Sequence, residues 1–264
     1  MKTFKTIHLE ISQQVARIHL NRPDVRNAFN DQMIEELKEA FSIIKEHQQM
    51  LALIIRGNGP VFSAGADLQW MQHTKAYSYR QNLEDSRNLQ DLFEQLYHLP
   101  VPVITLVHGA CIGGANGLAA VSDIVLAEKD TQFRFSEVRI GLTPATIAPY
   151  ILRRIGEYAA KYYMLTGRVF RDEEALRIGL IDARGNRESL DTEVDIILKA
   201  LHKNSPRAMR KTKELINKIG RTHHDESIRK MTIEAIAEAR VSDDGQEGMQ
   251  AFLEKRHPKW YKEQ

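Results

Sequence analysis

The stretch Val107-His108-Gly109-Ala110-Cys111-Ile112-Gly113-Gly114-Ala115-Asn116-Gly117-Leu118 carries four glycines between Gly109 and Gly117. Glycine lets a backbone turn sharply and come close to another group. The stretch follows an apolar run, Val101 to Val107, interrupted by Pro102 and Thr105, which reads as a buried strand. Leu118 to Ala120 are good helix formers, so the pair Gly113-Gly114 lies where a strand hands over to a helix. Backbone N–H groups at such a junction have no intrahelical partner and carry partial positive charge, which suits an oxygen anion. Twenty residues past Gly117 comes Glu137, within Ser136-Glu137-Val138-Arg139-Ile140-Gly141-Leu142-Thr143-Pro144. A cradle for an anion with one carboxylate downstream points to chemistry on a carbonyl compound. Taken alone, the glycine pair also fits tight packing, and Glu137 a structural carboxylate paired with Arg139 or a nearby lysine.

The elements that position these residues alternate. Ala16, Ile18 and Leu20 alternate with polar neighbours as a half-buried strand does. Asn30 is placed to cap a helix in which Met33, Ile34, Leu37, Phe41 and Ile44 share one face. Leu51 to Ile55 is continuously apolar, like a strand covered on both faces. A polar turn, Gly57 to Pro60, leads to Val61-Phe62 and then Ser63-Ala64-Gly65-Ala66-Asp67-Leu68, where Asp67 reads as a helix cap. A long helix is expected over Tyr79 to Tyr97, ended by Pro100 and Pro102. Further strands fall at Val103 to Val107 and Ile124 to Ala127. The alternation continues to about residue 185 and argues an α/β fold. Ser205-Pro206 then reads as an N-cap with a first-turn proline. Helical periodicity runs on through Met209 to Ile216, Ile228 to Ala239 and Gly248 to Lys255. The expected division is 1–194 as the α/β core and 195–264 as a helical region packed on it.

Composition bounds the function. The chain has 264 residues, 42% hydrophobic and 27% charged, as in ordinary globular proteins, with a net charge of +2. So small a charge gives no reason to expect nucleic acid or an anionic membrane as partner. A single cysteine, Cys111, rules out an internal disulfide and fits a reducing compartment. No stretch reaches the ~18–20 apolar residues of a membrane span, and no signal-like apolar segment follows Met1. A soluble, cytoplasmic protein is expected. No metal is expected either: the one close histidine pair, His223-His224, lacks the spacing with which a helix presents two ligands. Cys111 has no histidine placed by sequence to activate it and reads as a buried, inert thiol. The glycine segment lacks the Lys and Ser/Thr of a P-loop.

In order along the chain, these motifs resemble the crotonase superfamily, the enoyl-CoA hydratase/isomerase fold. The matching pieces are Leu20-Asn21-Arg22-Pro23 with Arg26-Asn27-Ala28, Phe62 to Leu68, the glycine segment, and Ser136 to Gly141. Leu165-Thr166-Gly167, Gly179 to Asp182 and the tail Glu247 to Arg256 complete the set. The resemblance implies a spiral of β-β-α units with a helical C-terminal region that mediates trimers, often stacked as hexamers. It implies an acyl-CoA substrate and no separate cofactor, coenzyme A being part of the substrate. It places the backbone N–H groups of Ala66 and Gly114 around the thioester oxygen, with Ala28, Ala64, Asp67, Leu68, Gly113 and Gly117 lining the substrate site. Arg22 and Arg26 match contacts to the pantetheine and phosphate arm. Phe252 and Lys255 match residues that reach the adenine and its 3′-phosphate, although Lys255-Arg256 also fits a solvated helix end. Trp260 and Tyr261 are expected to finish the C-terminal packing or to lie exposed.

Hydratases of the superfamily place two glutamates about one water. The second matches Glu137; the first falls on Gly117, which has no side chain. Asn116 beside it is a polar packing contact or, less simply, a group that orients a water. Glu137 alone suffices for a Δ3,Δ2-enoyl-CoA isomerase. The run Phe135 to Ala145, with Ile147, Pro149 and Tyr150, is similar to bacterial methylglutaconyl-CoA and related carboxylated isoprenoid-CoA hydratases of leucine and acyclic-terpene breakdown. The expected activity is hydration of an enoyl-CoA, with isomerase as the alternative and a non-catalytic or RNA-associated crotonase-fold protein as the third. On this reading the space at Gly117 takes the substrate's own carboxylate or its extra bulk.

Overall fold

In the computed structural model, residues 3–47, 49–74, 76–220, 243–254 and 256–260 are described. A six-stranded sheet runs β1 (Ile7–Ser12), β2 (Val15–Leu20), β3 (Ala52–Gly57), β4 (Val103–Val107), β6 (Ile124–Glu128), β9 (Ala183–Gly185) from edge to edge. Only the β1–β2 hairpin is antiparallel; every other pair is parallel. A second, three-stranded sheet holds β5 (Ala110–Ile112), β7 (Gln132–Arg134) and β8 (Phe170–Arg171).

Side chains alternate between the faces of a strand, and the large sheet is covered on both. Leu53 and Ile55 of β3 join the core that includes Ala16, Ile18, Val103 and Val125, whereas Ala52 and Ile54 join a second core with Ile104, Leu106 and Leu126. This is why Leu51 to Ile55 is apolar without a break. The first core is closed by α1 (Asp31–Glu46), α3 (Tyr79–Tyr97), α4 (Ala115–Val121) and α5 (Ala148–Thr166), the second by α7 (Arg187–His202). Asn30 caps α1 by accepting the Met33 N–H at 3.0 Å, and the expected face of that helix is buried.

The chain repeats one unit four times. A strand of the large sheet is followed by a short extended piece in the second layer, then by a helix. The units are β2, Phe29, α1; β3, 63–66, then α2 (Leu68–Thr74) and α3; β4, β5, α4; and β6, β7, α5. This is the spiral of β-β-α units that the resemblance implies.

The helical region begins earlier than residue 195. The boundary expected between 194 and 195 falls inside α7, whose Val194 and Leu198 both pack on the large sheet. After it come α8 (Pro206–Ile219), capped by the Ser205 hydroxyl, and a last helix, Asp243–Leu253. The helix expected over Ile228 to Ala239, and His223-His224, lie outside the described residues. Among the described residues no helix is long and apolar enough to cross a membrane, and no cluster of His, Cys, Asp and Glu could hold a metal.

Candidate active site

Two turns of the second layer are brought side by side. Phe62 N–H donates to His108 O at 2.8 Å, Ser63 N–H to Ala110 O at 3.0 Å, and Ile112 N–H to Ser63 O at 3.1 Å. Ser63 therefore pairs with Cys111 in parallel, and beyond this bridge Gly65 lies against Ile112 and Gly113. Gly65 has φ +93°, and a Cβ there would stand 2.8 Å from Ile112 O, so only glycine permits the approach.

Several hydrogen bonds hold these turns. Phe29 N–H donates to Gly65 O at 2.7 Å, Asp67 N–H to Phe29 O at 2.8 Å, and Gly113 N–H to Arg134 O at 2.8 Å. Among the described residues the N–H groups of Ala66 and Gly114 donate to no protein acceptor. A Cβ on Gly65 would also lie 3.8 Å from Gly113 N, so the two donors belong to turns in direct contact. Ala66 is exposed and Gly114 half-buried, which leaves the pair open to a ligand.

Glu137 stands against the same turn. It opens a 3-10 turn, Glu137–Ile140, after β7. A Cβ on Gly113, which has φ +54°, would lie 3.4 Å from Glu137 Oε1 and from Ser136 Oγ. Oε2 is buried without a hydrogen-bond partner among the described residues. No cation pairs with this carboxylate there; Arg139 is exposed and runs past Gly167. The structural alternative, an ion pair with Arg139, is not what the chain forms. Burial pushes the Glu137 carboxyl above its ordinary range, against the opposing pull of the N–H groups of Glu137 and Ser136.

Gly117 corrects an expectation. A Cβ there would stand 2.5 Å from Cε1 and Cζ of the Phe93 ring and 2.6 Å from Ile147 Cγ2. The position is buried inside α4, and no room remains for a substrate carboxylate or added bulk. Phe93 of α3 and Ile147 at the head of α5 fill what an acidic side chain would have occupied. Sequence reasoning missed both. Phe93 falls at helical spacing with Leu89, Leu92 and Leu96 and so reads as core, and nothing in that spacing says which residue its ring meets.

Asn116 is the polar packing contact. It is fully buried, and its Nδ2 donates to Gly113 O at 3.0 Å and Arg134 O at 2.9 Å. Cys111 is also fully buried, and burial pushes its thiol up, away from the reactive thiolate.

The first turn is held from within. Arg22 does not reach outward: Nη1 donates to Ala28 O at 2.6 Å and Nη2 pairs with Asp67 Oδ2 at 2.8 Å. This corrects its assignment to the phosphate arm. Asp67 Oδ1 caps α2, accepting from Gln69 N at 2.8 Å and Trp70 N at 3.2 Å, so its side chain is engaged by protein and not open to a ligand. Burial favours the neutral Asp67 carboxyl, but the Arg22 guanidinium and the N–H groups of Trp70 and Gln69 outweigh it and hold the group below its ordinary range. Asn27, a residue not singled out in sequence, is buried and ties the turn by donating to Asn58 O and Val61 O. Arg26 is exposed, and its carbonyl accepts the Ala64 N–H at 2.9 Å. Ala28 is buried, Ala64 half-buried, and Leu68 exposed at the start of α2. Phe252 lies in the last helix with its side chain outside the described residues, as is all of Lys255 and Tyr261. Trp260 finishes the C-terminal packing, its Nε1 donating to Lys203 O at 3.1 Å.

The sequence pattern of the enoyl-CoA hydratase/isomerase family matches residues 10–263. The crystal structure of an enoyl-CoA hydratase from Shewanella pealeana superposes with a TM-score of 0.94 at 39% identity, covering 97% of this chain and 96% of that one. A crotonyl-CoA hydratase from Syntrophomonas wolfei is 34% identical over 96% of each chain. A trans-2-decenoyl-acyl-carrier-protein isomerase from Streptococcus mutans is 31% identical, covering 97% of this chain and 98% of the relative.

Proposed function

The chain belongs to the enoyl-CoA hydratase/isomerase family, and from that premise we propose that it adds water across the α,β double bond of an acyl-CoA thioester. One observation carries the reading: two touching turns each hold an N–H group without a protein acceptor among the described residues, and one of them lies against a carboxyl group with which no described cation pairs. The thioester oxygen sits between Ala66 and Gly114, whose N–H groups meet the charge that develops there. Losing one such donor costs ~10²–10³ in rate in characterised hydrolases.

Glu137 handles the proton. Its carboxylate takes a proton from water while the water oxygen bonds to Cβ. The π electrons move onto the thioester as an enolate, and Glu137–H then protonates Cα. One O–H bond breaks, one C–O and one C–H bond form, and the carboxylate is restored. Because Phe93 and Ile147 occupy the place of a second acid, one carboxyl group performs both transfers. Burial raises the proton affinity of Glu137, which suits a group that must both take and give a proton. Arg26 and Lys255 are the cations assigned to the coenzyme A arm, and a homotrimer or hexamer in the cytoplasm is the assembly that goes with this reading.

The same apolar wall favours a second reading. Without a second acid to hold water, Glu137 moves a proton between Cα and Cγ, and the enzyme is an isomerase. Mass spectrometry separates the two. With crotonyl-CoA and 3-methylglutaconyl-CoA, a gain of one water on either establishes the hydratase, and a gain on the second alone assigns it to carboxylated substrates. No gain on either, with conversion of a 3-enoyl-CoA at unchanged mass, establishes the isomerase.

A further inference from the structure

Each of the two unpartnered N–H groups belongs to a peptide whose carbonyl is fixed on its other side. The peptide group is planar and trans, so a carbonyl and the following N–H point in opposite directions. Holding one aims the other. The carbonyl before Ala66 is that of Gly65, and it accepts the Phe29 N–H at 2.7 Å. The carbonyl before Gly114 is that of Gly113, and it accepts the Asn116 N–H at 3.0 Å and also Asn116 Nδ2 at 3.0 Å. The first peptide is thus held by main chain, the second by main chain and one side chain.

Asn116 is built for donation. Its second donor bond goes to Arg134 O, the same carbonyl that accepts the Gly113 N–H at 2.8 Å. Its Oδ1 is buried with no hydrogen-bond partner among the described residues. Leaving a buried oxygen unpaired is costly. A leucine, which branches in the same way but is larger, would forgo the donor bonds and that cost together, so hydrogen bonding alone gives folding little reason for an amide here. Aiming the Gly114 N–H gives one. Accepting two bonds on the Gly113 oxygen also polarises the peptide and strengthens its N–H as a donor.

We infer that Asn116 is a positioning residue that aims the Gly114 N–H at the thioester oxygen, an inference that rests on the oxygen site proposed above. The test uses butyryl-CoA, a saturated and unreactive thioester, labelled with ¹³C at its carbonyl and bound to the wild-type protein, Asn116→Leu and Asn116→Ala. Infrared difference spectra read the polarisation of the carbonyl, with kcat, KM and thermal unfolding measured alongside. Binding to the wild type is expected to lower the carbonyl frequency. In the variants that shift shrinks by about half or more and kcat falls about tenfold to a hundredfold, while KM stays within about twofold and the variants remain folded. A folded variant with the full shift and full kcat overturns the role of Asn116. So does failure of both variants to fold, since the residue would then serve the fold. No shift in the wild type is a different failure: it overturns the oxygen site itself.

Discussion

Gly113 and Gly117 stand four residues apart in one segment and are glycines for opposite reasons. At Gly113 the backbone turns through positive φ beside the Glu137 carboxyl, and it is that conformation, not lack of space, that calls for glycine. At Gly117 the backbone is ordinary helix, and an aromatic ring and a methyl group occupy the side chain's place. The first glycine serves the turn of the backbone; the second leaves its space to Phe93 and Ile147. A glycine-rich motif is therefore not one feature, and its positions need to be weighed by what stands against each of them.

The open side breaks most severely at its acid. Glu137→Gln is expected to lower kcat by about 10²–10⁴, the usual range for general acid–base groups, while acyl-CoA binding by calorimetry is retained. Wild-type turnover in that variant would remove Glu137 from the reaction. On the closed side, Gly117→Ala should cost about 1–3 kcal/mol by overpacking, seen in urea unfolding. Phe93→Leu should be less harmful in the Gly117→Ala background than in the wild type, because the two positions share one space. Equal effects in both backgrounds would mean that the ring yields freely, and the contrast between the two glycines would dissolve. Asp67→Ala removes a helix cap worth ~1 kcal/mol together with the Arg22 pair, and its cost in unfolding should exceed that of the cap alone.

A smaller effect comes from pH. The folded state holds the Glu137 proton more tightly than the unfolded chain, whose carboxyl titrates near the ordinary 4.5. Its contribution to stability is fully present below that pH and is lost as pH rises through the higher folded value. The stability of Glu137→Gln relative to wild type should therefore climb across this window. A flat difference would show that Glu137 is not held protonated. Activity that needs the carboxylate should rise over the same window, so its acidic limb lies above 4.5.

Much of this was legible in sequence. The apolar face of α1, the Asn30 cap, the buried β3 and the Asp67 cap follow from periodicity and capping rules that act over a few residues. Others were not. The strands β5 and β7 have three residues each, too few for alternation to show. Residue 194 lay inside α7 because the pattern of a helix says where its apolar stripe runs but not where a sheet stops needing it. The Phe93 ring went unforeseen and the Arg22 guanidinium was assigned elsewhere for one reason. Sequence gives the chemical type of a side chain and the face it lies on, but only folding decides which distant backbone it meets.

The parallel pairing of Ser63 with Cys111 of β5 also works as a ruler. A residue inserted between Ser63 and Ala66 would slide one donor by about 3.3 Å relative to the other, further than a hydrogen bond is long. Length is thus fixed there more strictly than composition, and insertion scanning should find those few positions intolerant. The exposed stretch Ile140 to Thr143 lies outside this pairing and closes the turn of Glu137 instead, the Leu142 N–H donating to Glu137 O at 3.0 Å. A change of length there would act on the carboxyl and leave the two donors where they are.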